Sequence, residues 1–328
     1  MKIFLLTLVL FVCSCSIYQK HSYSNSPVLS KNYFPTKEYF IDVQSSQKDF
    51  VQLWRSENNI REENYDAFSR ITIQDLQRVF KNLPQALQKF LSKNVEKFII
   101  VDDLGVSQFA HQISGTDKFL IFLDSKINSL GINDWYKHRE YSALQKMKSD
   151  IVMVPYLSHK NLQSDTLQFV FSQSTALILS NDESLFPQNL ESIKSFSEDS
   201  FISESWTIEN GVISSKWQKY LSEIKFISFY GQSSRTINFD KVYEFYQLLD
   251  RTNFVNLYAS SSPLRDFIES VAVYIHYKYL NKPFHIEFFE SDVLLDSFSS
   301  CVVNDRCIGK RQKIDKILKS RLFPLVSN

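Results

Sequence analysis

The sequence predicts an α+β protein, and three observations carry that reading. Lys97-Phe-Ile-Ile-Val101 and Phe119-Leu-Ile-Phe-Leu123 are short, continuous apolar runs rich in β-formers, and each is followed by Asp. Runs of that kind suit strands buried on both faces. Other segments repeat apolar residues at helical spacing. Strands and helices mix irregularly along the chain, which argues against a doubly wound sheet. The 328 residues are ample to bury a core.

Residues 16–40 carry Ser, Tyr, Asn, Lys and two Pro with no apolar period. They read as a flexible tether, with order beginning near Tyr39. Thr72 is placed to cap a helix bearing Leu76, Val79, Phe80 and Leu83, and Pro84 starts a second one with Leu87, Phe90 and Leu91. Asp165 to Ser180 repeats Leu167, Val170, Phe171, Ser174, Leu177 and Ile178 and reads as a largely buried helix. Ile224 to Tyr230 looks like a strand, and Asp240 is placed to cap a helix with Val242, Phe245, Leu248 and Leu249. Ser262 caps the next helix, with Pro263 in its first position and Asp266 in its first turn. That helix is apolar on two adjacent faces, so it belongs in the core.

Composition excludes several classes. Net charge is +1 with no basic patch, so there is no nucleic-acid footprint. Aromatic residues make up 15% of the chain and indicate a well-filled core; 6 Gly and 8 Pro exclude a low-complexity chain.

The N-terminus carries a separate message. Lys2 precedes a short apolar run, Ile3 to Val12, which ends at Val12-Cys13-Ser14-Cys15. The run is much shorter than the roughly 20 residues of a membrane span. An aliphatic residue, small residues and a cysteine in that order resemble a bacterial lipobox. The resemblance implies a signal peptide over 1–14, cleavage before Cys15, a diacylated Cys15 thiol, and a lipid-anchored protein of the cell envelope. In a Gram-negative cell, Ser16 after Cys15 resembles the pattern that sorts to the outer membrane. Membrane lipid, held through Cys15, is then the first partner. Cys301 and Cys307 remain, and in an oxidising compartment they form a disulfide across a short loop. The alternative is a metal pair, but no His or further Cys lies close by in sequence. The domain reading is a signal at 1–14, a lipidated tether at 15–40 and a body at 41–328, with a small disulfide-containing extension at 285–328.

Four segments, in order, resemble a bacterial family of exported zinc metallopeptidases of the gluzincin type. The first is Leu83-Pro84 with Val101-Asp102-Asp103-Leu104-Gly105. The second is Phe122-Leu-Asp124 with Asn133-Asp-Trp135-Tyr-Lys-His-Arg139-Glu140, similar to an N-x-W-x-x-x-[KR]-E stretch. The third is the helix Thr166 to Leu179, placed where the family has HExxH. The fourth is Phe254-Val-Asn-Leu-Tyr258-Ala-Ser with Pro263-Leu-Arg-Asp266-Phe-Ile-Glu269-Ser-Val-Ala272. The match spans roughly residues 80–280. It implies a zincin-like fold, a small mixed sheet packed against core helices, with Glu269 at the position of the third zinc ligand.

The chain departs from the family where the chemistry sits. HExxH works because two His at i and i+4 bind one zinc and the Glu is general base. Here the segment reads Ser172-Gln173-Ser174-Thr175-Ala176. Ser172 is a poor ligand, Ala176 is none, and Gln173 accepts no proton at neutral pH. No cofactor and no metal are therefore assigned.

None of the other candidates rebuilds the site. None of the six His lies three or four residues from another. Glu269 and His276 share a helix face about 10 Å apart, too far for one metal to bridge. Glu269 reads as a vestigial ligand paired to a cation such as Arg139, His276 as a surface residue, and the Trp135–Glu140 stretch as a structural clamp. No G-x-S-x-G elbow supports a serine hydrolase. The functional expectation is an envelope lipoprotein with a degenerate zinc-peptidase-like domain that binds a peptide or envelope protein, or acts as a scaffold. The competing readings are an interaction lipoprotein of another α+β fold and a hydrolase with non-standard residues.

Overall fold

The computed structural model describes residues 39–43, 70–102, 104–126, 130–145, 150–219, 229–230, 237–238 and 241–322. The signal segment, Cys15, Asp103 and Asp240 lie outside the described residues. So does the anticipated strand at 224–230, apart from Phe229 and Tyr230, which form a bend and a turn.

In chain order the strands are β1 (Phe40–Val43), β2 (Val95–Val101), β3 (Gln108–Gln112), β4 (Phe119–Asp124), β5 (Leu144–Gln145), β6 (Ile151–Tyr156), β7 (Trp206–Glu209), β8 (Val212–Ser215), β9 (Ile237–Asn238), β10 (His285–Glu290) and β11 (Val293–Ser299). The α-helices are α1 (Ile73–Lys81), α2 (Gln85–Asn94), α3 (Ile132–Tyr141), α4 (Gln163–Leu179), α5 (Val242–Leu249), α6 (Pro263–Tyr274) and α7 (Ile308–Arg321). The architecture is α+β.

The first sheet runs β1-β2-β4-β3. β1 and β4 flank β2 in parallel, and β3 closes the far side antiparallel to β4. The two anticipated strands are its central pair. Their apolar runs are continuous because both faces are covered. Phe98, Ile100, Ile121 and Leu123 point into the main core, and Ile99, Val101, Leu120 and Phe122 into a second, smaller one. Phe98 meets Phe171 of α4 edge to face at 5.2 Å, and Phe109 stacks on Phe122 at 4.5 Å on the other side.

The second sheet, β11-β10-β6, is antiparallel. Its hairpin turns through Ser291 and Asp292, both left-handed at φ 48° and 66°. The β7–β8 hairpin turns through Asn210 and Gly211, at φ 53° and 76°, the residue pair that a type I′ turn favours.

Capping follows the sequence. Thr72 Oγ1 accepts from Asp75 N at 3.2 Å, and Asp75 Oδ2 accepts from Thr72 N at 3.2 Å, closing both ends of a capping box on α1. Ser262 Oγ accepts from Arg265 N at 3.2 Å, with Pro263 opening α6. α5 starts at Val242, after Lys241.

α4 and α6 pack together in the middle of the body, buried along nearly all their length. They run antiparallel: Glu269 meets Gln173, and His276, two residues past the end of α6, meets Phe169. A π-helical turn, Ile275–Tyr279, follows α6.

The segment from 285 onward is tied into this body. β10 pairs with β6. Lys310 of α7 places its ammonium on Asp266 at 2.7 Å and on the Asn253 carbonyl at 2.8 Å, all buried. Trp206 Nε1 and Ser270 Oγ also donate to Asp266, each at 3.1 Å. Cys301 and Cys307 are joined by a disulfide, with Cα atoms 5.3 Å apart.

Candidate functional site: a buried carboxylate cluster

Three of the four resembling segments meet at Glu269. Its position on α6 is buried, so its charge must be met by protein groups. Oε1 accepts from Arg139 Nη1 of α3 at 3.0 Å and from Gln173 Nε2 of α4 at 2.5 Å. Oε2 accepts from Asn256 Nδ2 at 2.7 Å, and Asn256 Oδ1 accepts from Ala259 N at 2.7 Å, fixing the amide. The expected pairing of Glu269 with Arg139 is present.

Arg139 is wholly buried and bridges two carboxylates. Its Nη2 donates to Glu140 Oε1 at 3.3 Å. Its guanidinium lies over the rings of Trp135, Tyr136 and Tyr258 at 5.0, 4.7 and 5.0 Å. A weakly hydrated guanidinium held over aromatic rings is an arrangement that suits Arg better than Lys. Trp135 also packs on Phe169 of α4 at 5.6 Å, so the Trp135–Glu140 stretch clamps the α4 helix. Tyr246 OH donates to Glu140 Oε2 at 2.7 Å.

The electrostatics follow from one cation facing two carboxylates in a dry interior. Burial disfavours the charged guanidinium, but Glu269 and Glu140 outweigh it and hold Arg139 protonated far above its ordinary range. Burial pushes the Glu140 carboxyl up. Arg139 and the Tyr246 hydroxyl pull it back only in part, and the like charge of Glu269 adds to the rise. Burial, then the charge of Glu140, raises Tyr246.

Ser172 and Ala176, on the same helix, take no part in the cluster. Ser172 Oγ donates back to the Gln168 carbonyl at 2.9 Å, and Ala176 is buried without a ligand atom. Gln173 Oε1 accepts from Gln108 Nε2 at 3.1 Å, which links the cluster to edge strand β3. A neutral amide, a hydroxyl committed to a carbonyl and a carboxylate already holding three donors do not fit a zinc ion. Among the described residues, no group of three or more His, Cys, Asp or Glu is arranged to hold a metal.

His276 corrects an expectation. Instead of sitting at the surface it is buried, with Nε2 2.9 Å from the Leu157 carbonyl and its ring edge-on to Phe169 at 5.3 Å. Burial lowers its pKa to about 4. The cause is that the cover over α6 extends through Ile275 and His276 and ends only at Tyr277, which is exposed. His159 is exposed and pairs with Tyr156 OH at 2.7 Å, away from the cluster.

Asn256, Gln108 and Tyr246 were invisible in the sequence. Asn256 falls on a free position of F-V-x-x-Y-A, and no spacing rule links Gln108 or Tyr246 to residues more than sixty positions away. Comparison with known protein families, curated proteins and solved structures finds no match to this chain.

Proposed function

We propose that the chain is a lipid-anchored envelope protein whose body is a zincin-like domain with a dead metal site, serving to bind a peptide or envelope protein or to act as a scaffold. The observation that carries this reading is the meeting at Glu269. The residue in the third-ligand position, still a carboxylate, faces the residue in the general-base position, which is an amide. Arg139, at the basic position of the N-x-W-x-x-x-[KR]-E stretch, supplies the positive charge that meets Glu269. A cluster in which both oxygens of Glu269 are met stabilises a single arrangement of α3, α4 and α6, as a scaffold requires. The lipobox at 12–15 supports the anchor. No helix among the described residues is long and apolar enough to cross a membrane.

The ancestry is tested by restoring the site. Ser172→His, Gln173→Glu and Ala176→His, combined with Arg139→Met to free the carboxylate, create a zinc site that uses Glu269. Metal content and the cobalt absorption spectrum of the folded variant read the result. A folded variant that takes up no zinc, or takes it up equally after Glu269→Ala, overturns the ancestry. Stoichiometric zinc in the unmodified protein overturns the dead-site reading. For the anchor, Cys15→Ala releases the body from the membrane fraction or leaves the precursor uncleaved, since two acyl chains are what hold such a protein. Unchanged membrane retention would refute it.

A further inference from the structure

The second sheet ends in an edge that is only partly protected, by a single bulged residue, Leu295. β11 is an edge strand among the described residues. Its residues 293–297 are all exposed, and three of them, Val293, Leu294 and Leu295, are consecutive aliphatics, the first two 65% and 53% exposed. Natural edges are blunted with Lys, Pro or bulges. β11 has no Lys and no Pro. The opposite edge, β6, carries Pro155, which pairs with Ile286 of β10.

The outer face continues the same surface. Val152, Phe289 and Leu294 stand in one row across the three strands, with Val152 exposed and Phe289 half-buried. Val154, Glu287 and Ser297 form the next row. The charge here has one sign. From Pro283 to Asp305 the chain carries Glu287, Glu290, Asp292, Asp296 and Asp305 and no Lys or Arg, in a protein of net charge +1. A second copy of this edge would bring acid against acid. An anionic membrane would be repelled in the same way.

We infer that β11 is a docking edge for an extended segment of a partner protein that alternates apolar and basic residues, added as a fourth strand to the sheet. Backbone groups of β11 supply the ladder; Leu294, in the outer row with Phe289, takes the apolar side chains, and Asp296 and Glu290, on the opposite face, meet the basic ones. The surface belongs to the second sheet and does not depend on the peptidase ancestry.

The test uses the full mature chain and a fluorescent octapeptide of alternating lysine and valine, read by anisotropy. A companion peptide is N-methylated on alternate residues to block one side of its backbone. The plain peptide binds, more weakly at higher salt. N-methylation, or Leu294→Lys with Asp296→Lys in the protein, weakens it about tenfold or more. Absence of binding, or equal binding by the methylated peptide, overturns the inference whether or not the double variant folds. A wild-type dimer that the folded double variant no longer forms overturns it in favour of self-pairing.

Discussion

Gln173 Nε2 donates to Glu269 Oε1 across 2.5 Å, from the middle of one buried helix to the middle of its antiparallel neighbour. A carboxylate at 173 would set three like charges against one guanidinium. The amide brings a donor instead, and joins α4 to α6 by a hydrogen bond.

Arg139 and Glu269 should behave as one unit. Removing one member of a buried ion pair leaves an uncompensated charge, so Arg139→Met and Glu269→Gln should each cost about 3–5 kcal/mol. The double variant should cost less than the sum by about 1 kcal/mol or more. Urea unfolding of the four proteins measures this. Strict additivity would mean that the pair is not coupled.

His276 should make the fold acid-sensitive. Its folded pKa lies below its unfolded value, so the unfolded chain binds the extra proton first. Its contribution is complete above the unfolded pKa and is lost as pH falls through the window from about 6.5 to about 4. The loss from this group is about 3 kcal/mol. His276→Gln can still donate to the Leu157 carbonyl but does not titrate, so its stability profile should be flatter across that window. Parallel profiles would show that His276 is not the sensor. Asp165 adds to acid loss at lower pH. Burial works against its charged form, but Lys282 and Ser158 win and hold its carboxyl below the ordinary range.

The Cys301–Cys307 bridge should leave no free thiol at either position when the mature protein is alkylated without reduction. Closing a separation of six residues should contribute about 2 kcal/mol on chain-entropy reasoning. Mass spectrometry reads the first and thermal unfolding of Cys301→Ser with Cys307→Ser the second. Two alkylated thiols would revive a metal or redox role.

Much of the central fold was legible. β2 and β4 announce themselves as unbroken apolar runs because both faces are covered. α1 and α6 carry their own caps at Thr72 and Ser262. The segments at 133–140, 166–179 and 254–272 could be ordered and aligned, and they converge on Glu269. The chain beyond residue 200 was harder. Asn210-Gly211 is a hairpin signal, but the strands it joins are only four residues each. The Ser291-Asp292 turn lacks the Gly or Asn that marks left-handed residues. β11 shows aliphatics where a solvated strand should alternate. Asp266 looked like an ordinary first-turn acid, because nothing local reveals that Lys310 reaches it from forty-four residues away.

That last contact sets an order on how the protein is made. A chain leaves the ribosome N-terminus first, and α6 emerges well before α7. Until Lys310 arrives, Asp266 has only Trp206 and Ser270 to meet a charge that the finished molecule seals from water. The body is therefore completed by its final helix. A nascent or truncated product ending before 308 holds β1 to β11 yet leaves Asp266 without its counter-charge.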